Sequence, residues 1–310
     1  MERKQIIIGL DNGNKFTKTS SGTFLEESSV KKVEDDYLGL GKKIIKYEDN
    51  FYIIGEGRGS VKLNKFEDED TFIISSAAIA NELEHIGITG VVDITLGVGL
   101  PLMSFGRYKH IMKEYFLRDN IKVYYNKREY NFNIKEVYVF PQGMAAFTSI
   151  INNYKEFDVC NVLDLGGYTL DTFQTGENGI PIISTLKSYP IGIITLIEEI
   201  KQELLRKEIK LNDRQIEKII KEEDLFIFDS LAVEIIKDKT NIYVKELINK
   251  LKESGMELKN PTILIGGGFN LIERYIREYN EFSYIEFMDI YANSRGYRKL
   301  IMEQKRKYEV

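Results

Sequence analysis

The sequence predicts an α/β protein built from two similar lobes, and three observations carry that prediction. A β-branched apolar run, Gln5 to Leu10, meets Asp11-Asn12-Gly13, and a second buried run, Cys160 to Asp164, meets Leu165-Gly166-Gly167. Strand text alternates with helical text after each of them. Aligned, Asp11-Asn12-Gly13-Asn14-Lys15-Phe16-Thr17-Lys18-Thr19 lies over Asp164-Leu165-Gly166-Gly167-Tyr168-Thr169-Leu170-Asp171-Thr172, and the step from Asp11 to Asp164 is 153 residues, about half of a chain of 310. Length agrees, since 310 residues make two domains at about 100 to 200 residues each.

The elements follow in order. Gln5 to Leu10 reads as a buried strand, Asn12-Gly13 as the turn of a hairpin, and Phe16 to Lys18 as its return. From Phe24 to Phe72 the text is β-rich, with strands at Lys43 to Tyr47 and Phe51 to Gly55. Thr71 to Glu84 reads as a helix, Asp93 to Val98 as a strand, Phe105 to Leu117 as a helix, and Val123 to Phe140 as strands closed by Pro141. The second half restarts with strand, Gly166-Gly167 turn and a return through Tyr168 to Phe173. Helices are expected at Ile191 to Arg206, Asn212 to Glu222 and Val244 to Ser254, then a strand at Thr262 to Ile265. A helix from Leu271 to Tyr279, capped by Asn270, and a last helix from Asn293 to Tyr308 complete the chain.

Composition narrows the function. With 43% hydrophobic and 29% charged residues, only five Pro and no low-complexity tract, the chain is a soluble globular protein. A net charge of -5 offers no global positive field, which argues against direct nucleic-acid binding. One cysteine, Cys160, and two histidines, His85 and His110, exclude an internal disulfide, a four-cysteine zinc site and an iron–sulfur cage, and fit the reducing cytoplasm. No apolar run approaches the roughly 18 residues of a membrane span.

The repeated turns suit a polyphosphate. Glycine lets backbone N–H groups approach closely and tolerates positive φ, so Gly13, Gly166 and Gly167 are candidate phosphate donors. Asp11 and Asp164, at the strand ends, are candidates to hold Mg²⁺ through its water shell. Lys18, two residues along from Phe16 on the return strand, can meet a β- or γ-phosphate as a point charge. Gly266-Gly267-Gly268 between a strand and a helix would let backbone lie against a base or ribose. Gln142, in Pro141-Gln142-Gly143-Met144-Ala145-Ala146, is placed to orient a water for attack on a γ-phosphate. Ala145, Ala146, Ala292 and Gly296 would let two helices cross closely between lobes.

Taken together, these residues resemble the five signatures of the actin-like ATPase superfamily, in that family's order: Asp11 to Lys18 and Asp164 to Asp171 as phosphate loops, Phe140 to Ala146 and Ala292 to Arg298 as connecting helices, and Ile265 to Phe269 as the adenosine loop. Ala292-Asn293-Ser294-Arg295-Gly296-Tyr297 and the form of the second loop look most like the ParM/StbA-type plasmid-segregation actins. The resemblance implies an actin-like ATPase fold: two RNase H-like α/β domains flank a nucleotide cleft, each with a smaller inserted subdomain. It implies domains at 1–155 and 156–292, with a C-terminal helix 293–310 packed back on the first. It adds Asn14, Thr169, Asp171 and Phe269 to the nucleotide-binding residues, with ATP or GTP and Mg²⁺ as cofactors, and makes Gln142, Asp164 and Asp11 the catalytic set. Gln142 stands where ParM-like proteins often carry Glu. It further implies filaments that form with triphosphate, fall apart after hydrolysis, and reach plasmid centromere DNA through a ParR-like DNA-binding adaptor.

Rival readings are a small-molecule kinase of the same superfamily, an Hsp70-like chaperone ATPase, and a membrane-tethered MreB/FtsA-like protein anchored by Arg298 to Lys307. No second pocket motif supports the kinase, 310 residues leave no room for a peptide-binding domain, and the tail lacks bulky aromatics on one apolar face. The acidic run Glu67-Asp68-Glu69-Asp70 reads as a solvated loop, and Cys160 as a small core hydrophobe.

Overall fold

The computed structural model describes residues 4–34, 42–56 and 69–308. In chain order the first half contains β1 (Gln5–Asn12), β2 (Phe16–Thr19), β3 (Leu25–Glu27), β4 (Val30–Val33), β5 (Lys43–Tyr47), β6 (Asn50–Ile54) and α1 (Asp70–His85). β7 (Val91–Leu100), α2 (Leu102–Phe116), β8 (Arg118–Tyr125), β9 (Arg128–Pro141) and α3 (Met144–Thr148) follow. The second half contains β10 (Cys160–Leu165), β11 (Leu170–Thr175), β12 (Pro181–Tyr189), α4 (Ile193–Arg206), α5 (Asp213–Ile220) and α6 (Ser230–Glu253). β13 (Thr262–Ile265), α7 (Gly267–Arg277), β14 (Ile285–Phe287) and α8 (Ala292–Tyr308) complete it. The chain divides into two compact units, Met1–Ser149 with Tyr291–Val310, and Ile150–Ile290.

Each unit carries the same five-strand arrangement. Among the described residues, the sheet of the second unit runs β12-β11-β10-β13-β14, with β10–β11 and β11–β12 antiparallel and β10–β13 and β13–β14 parallel. The first unit repeats it as β3-β2-β1-β7-β9, with antiparallel pairs on the hairpin side and parallel pairs on the other. β8, β5, β6 and β4 extend that sheet to nine described strands. Every residue of the central strand β10 is buried, the polar Asn161 and Asp164 included.

In the first unit, Phe72, Ile79 and Leu83 of α1 pack with Ile94, Leu96 and Phe132 of the sheet. α8 covers the sheet through close approach: a Cβ on Gly97 would lie 2.8 Å from Ile301 Cδ1 and 2.9 Å from Tyr297 Cβ, and one on Gly9 would meet the Ser294 backbone. Tyr297 and Ile301 are fully buried there, and the Tyr297 ring stacks on Phe140 with centroids 5.9 Å apart. The apolar residues of this helix are thus spent on its own unit. In the second unit, Leu163, Leu165 and Leu264 of the sheet pack with Ile197 of α4, Val244 of α6 and Ile272 of α7.

Several expectations need correction. α6 starts at Ser230, where Asp229 accepts from the Leu231 and Ala232 amides, and not at Val244; its β-branched first half hides the helical period. α7 starts at Gly267, and Asn270 caps nothing: its amide donates to the Gly266 and Met288 carbonyls. The helices bearing Ala145, Ala146 and Gly296 cross inside the first unit, not between units. Of the acidic run, Glu67 and Asp68 lie outside the described residues, while Glu69 takes both guanidinium nitrogens of Arg118 and Asp70 opens α1.

Candidate functional site: two matching hairpins

The β1–β2 hairpin places Asp11 directly across from Lys18, and β10–β11 places Asp164 across from Asp171. Both turns close identically: the Gly13 amide donates to Phe16 O at 3.0 Å, and the Gly166 amide to Thr169 O at 2.8 Å. The sequence repeat therefore survives as a repeat of hydrogen bonds. Neither Gly13 nor Gly166 has positive φ, and their N–H groups close the turns. Gly13 is needed because a Cβ there would lie 2.8 Å from Phe16 O. The tips belong to exposed Asn14 and half-buried Gly167.

Each loop is braced from its own unit. Ser28 donates from its hydroxyl to Gly13 O at 2.7 Å and from its amide to Lys15 O at 2.9 Å. Asn12 donates to Ser75 Oγ of α1 at 2.9 Å. The second loop leans on the start of α4, whose Gly192, Ile193 and Ile194 amides donate to the Tyr168, Gly166 and Gly167 carbonyls at 3.0, 3.1 and 2.8 Å. A Cβ on Gly192 would strike the Gly167 and Tyr168 backbone. Ser28, Ser75 and Gly192 escaped the sequence reading because only tertiary structure brings them to the loops.

The two hairpins differ in charge. Asp11 is buried; its Oδ2 pairs with Lys18 Nζ at 2.8 Å and its Oδ1 accepts from Gln142 Nε2 at 3.1 Å. Lys18, Asp11 and Gln142 thus form one cluster. In the second hairpin an acid takes the position of Lys18: Asp171 is buried, and its Oδ1 has no hydrogen-bond partner. Burial pushes the Asp171 carboxyl above the usual carboxylate range, against hydrogen bonds from Ser188 and Thr169 that hold it down.

The glycine run packs against the end of β10. Gly266 has φ +97, and a Cβ there would lie 2.5 Å from Leu165 O and 2.6 Å from Asp164 Oδ1, so only glycine fits beside that carboxylate. A Cβ on Gly268 would meet the Leu165 side chain, whereas Gly267 is exposed and a Cβ there would come no nearer than 3.9 Å, to Ile290 Cγ2. The Phe269 side chain is fully buried in the core of the second unit, which leaves its backbone alone for a ligand. Among the described residues, no group of three or more His, Cys, Asp or Glu converges as a metal cage, and no helix is long and apolar enough to cross a membrane.

Comparison with known proteins agrees with this duplicated architecture. Residues 9–144 match the family described as actin like proteins N terminal domain, and residues 154–294 that described as plasmid segregation protein ParM, C-terminal. No curated protein matches the sequence. Among solved structures, the archaeal actin homolog Ta0583 aligns with a TM-score of 0.75 at 19% identity, covering 96% of this chain and 99% of its own. Ta0583 is also matched as a complex with ADP, at a TM-score of 0.72 and 19% identity over 96% and 99%. The 15-stranded ParM filament from Clostridium botulinum aligns with a TM-score of 0.75 at 19% identity over 97% and 99%. The apo psk41 ParM protein does so with 0.71 at 17% over 99% and 100%. With two adjoining family matches reaching from β1 to α8 and the actin-like α/β fold throughout, the chain belongs to the actin-like proteins, of the ParM type.

Proposed function

We propose that the chain is a nucleotide-driven, self-assembling ATPase whose filaments move plasmid DNA in the cytoplasm through a ParR-like DNA-binding adaptor. The observation that carries the reading is the duplicated hairpin, with one closing bond and one strand-end carboxylate in each unit. In this reading both hairpins take the phosphate tail of the same nucleoside triphosphate. Asn14 and Gly167 offer the tip amides, with Gly13, Gly166 and Thr169 holding the turns. Lys18 exchanges Asp11 for a phosphate oxygen, and exposed Gly267, flanked by Gly266 and Gly268, meets the nucleoside. The ADP complex of Ta0583 supports an adenine nucleotide, with GTP as the alternative.

The donor set fits Mg²⁺, which keeps several waters and needs few protein ligands: each hairpin offers a strand-end carboxylate, Asp11 or Asp164. Bound there, the ion would neutralise charge on the phosphate oxygens. Gln142 is tethered through its Nε2 to Asp11, which leaves Oε1 to accept a hydrogen bond from the attacking water and align it. The filament of the Clostridium botulinum ParM supports self-association, and in this reading the contact is head-to-tail and does not close into a ring. Assembly responds to hydrolysis when triphosphate and diphosphate favour different conformations. The net charge of -5 supports an adaptor in place of direct DNA contact.

Light scattering and sedimentation after addition of Mg²⁺ and ATP, or a slowly hydrolysed analogue, test the reading. Polymer is expected, with Gln142→Ala slowing disassembly more than assembly and Asp164→Asn stopping phosphate release. Monomer at every nucleotide and protein concentration would refute it.

A further inference from the structure

Gln142 is held on three sides. Its amide donates to Leu100 O at 2.8 Å, its carbonyl accepts from the Met144 amide at 2.8 Å, and its Nε2 donates to Asp11 Oδ1 at 3.1 Å. The next residue sets the direction in which the chain leaves. Gly143 has φ 71 and ψ -52, a conformation that side-chain-bearing residues avoid, and it opens α3 without any side-chain cap of its own. Its amide is satisfied from 150 residues away: it donates to Asn293 Oδ1 at 2.8 Å in a buried bond. Asn293 is buried in the first turn of α8, and that helix is seated on β1 and β7 by Gly9 and Gly97 and stacked on Phe140 through Tyr297.

Resting on the reading of Gln142 as the water-aligning residue, we propose that Asn293 is a positioning residue for hydrolysis, acting on Gln142 through the Gly143 amide. A strand-to-helix turn folds without a side-chain acceptor from so distant a residue, but a left-handed glycine with its amide unsatisfied relaxes, and the adjoining peptide turns with it. The acceptor oxygen of Asn293 blocks that relaxation. Alignment, not affinity, is what the bond secures, because Asn293 bonds the amide of the residue after Gln142 and belongs to neither hairpin.

Two variants separate the acceptor from the bulk. Asn293→Leu keeps the size and loses the acceptor; Asn293→Asp keeps the acceptor. Expected for Asn293→Leu are a fall in kcat for phosphate release of about tenfold, a Kd for a fluorescent ATP analogue unchanged within about twofold, and faster hydrogen exchange at Gly143 in nucleotide-free protein. Asn293→Asp should retain both rate and protection. In a Gln142→Ala background, Asn293→Leu should cost nothing further, since residues acting through one group are not additive. An additive loss, unchanged Gly143 exchange, or loss of rate in Asn293→Asp equal to that in Asn293→Leu overturns the proposal. If Gln142→Ala slows hydrolysis and Asn293→Leu does not, this inference alone fails; if Gln142→Ala leaves kcat unchanged, the water-aligning reading fails and takes it along. Should Asn293→Leu not fold, Asn293→Ala carries the same expectations.

Discussion

Alanine at two helical glycines should change stability in opposite directions, and the magnitudes follow from what each new methyl meets. Gly296 of α8 faces α3: a Cβ there would lie 2.9 Å from Ala146 N and closer still to the Ala145 carbonyl. Both are helix backbone, with no flexible end to swing aside, so α8 must move outward. Overpacking of this kind costs about 1–3 kcal/mol. The same movement stretches the bond from Gly143 to Asn293, worth about 1 kcal/mol. Against this, alanine is about 1 kcal/mol better than glycine inside a helix. Packing wins, by about 2 kcal/mol. For a unit of this size each kcal/mol moves the melting temperature about 2–4 °C, so Gly296→Ala should melt about 4–8 °C lower. Gly106 of α2 is the control, since a Cβ there meets nothing within 4 Å and propensity acts alone. Gly106→Ala should melt about 2–4 °C higher. Thermal unfolding followed by circular dichroism on nucleotide-free protein reads both. Shifts of the same sign would refute the claim that close approach, not helix propensity, dictates glycine at 296.

Asp171→Asn tests the buried, half-satisfied carboxyl. Its folded pKa is raised by burial, so its stabilising contribution is full below the unfolded value of about 4 and is lost as pH rises through the folded value. The variant should therefore melt higher than the parent at pH 8, with the gap closing towards pH 4; a gap independent of pH contradicts this. Asp11→Ala strands the Lys18 ammonium in a buried site at a cost of about 3 kcal/mol. Adding Lys18→Met should recover part of that loss in urea unfolding, and fully additive losses would show that the pair is not coupled.

The hairpins were legible because their determinants are local: a β-branched run, a carboxylate, and glycine where Phe16 O leaves no room for a Cβ. The strand Thr262 to Ile265 was read to the residue, bounded by Pro261 and Gly266. What stayed hidden depends on partners distant in sequence. Asp11 and Lys18 carry separate roles in the text of the chain, yet fold into one ion pair that also holds Gln142. Gly9 and Gly97 look like ordinary strand glycines until α8 is laid over them. The start of α6 was obscured by Val233, Ile235, Ile236, Ile242 and Val244, which favour strands by propensity and are overruled by packing and by the Asp229 cap. The run at Gly266 looks like a loop but holds the first turn of α7, because two of its glycines pack on Leu165.

The return of α8 to the first unit has a consequence for cleavage of the chain. The second unit, Ile150–Ile290, is one contiguous stretch, whereas the first is assembled from two stretches far apart in sequence. A cut after Ile290 would detach α8, uncover the floor formed by Gly9, Gly97 and Phe140 and take the acceptor from Gly143. The damage would therefore fall on the half remote in sequence from the cut, while the adjoining half would keep every described strand of its own sheet.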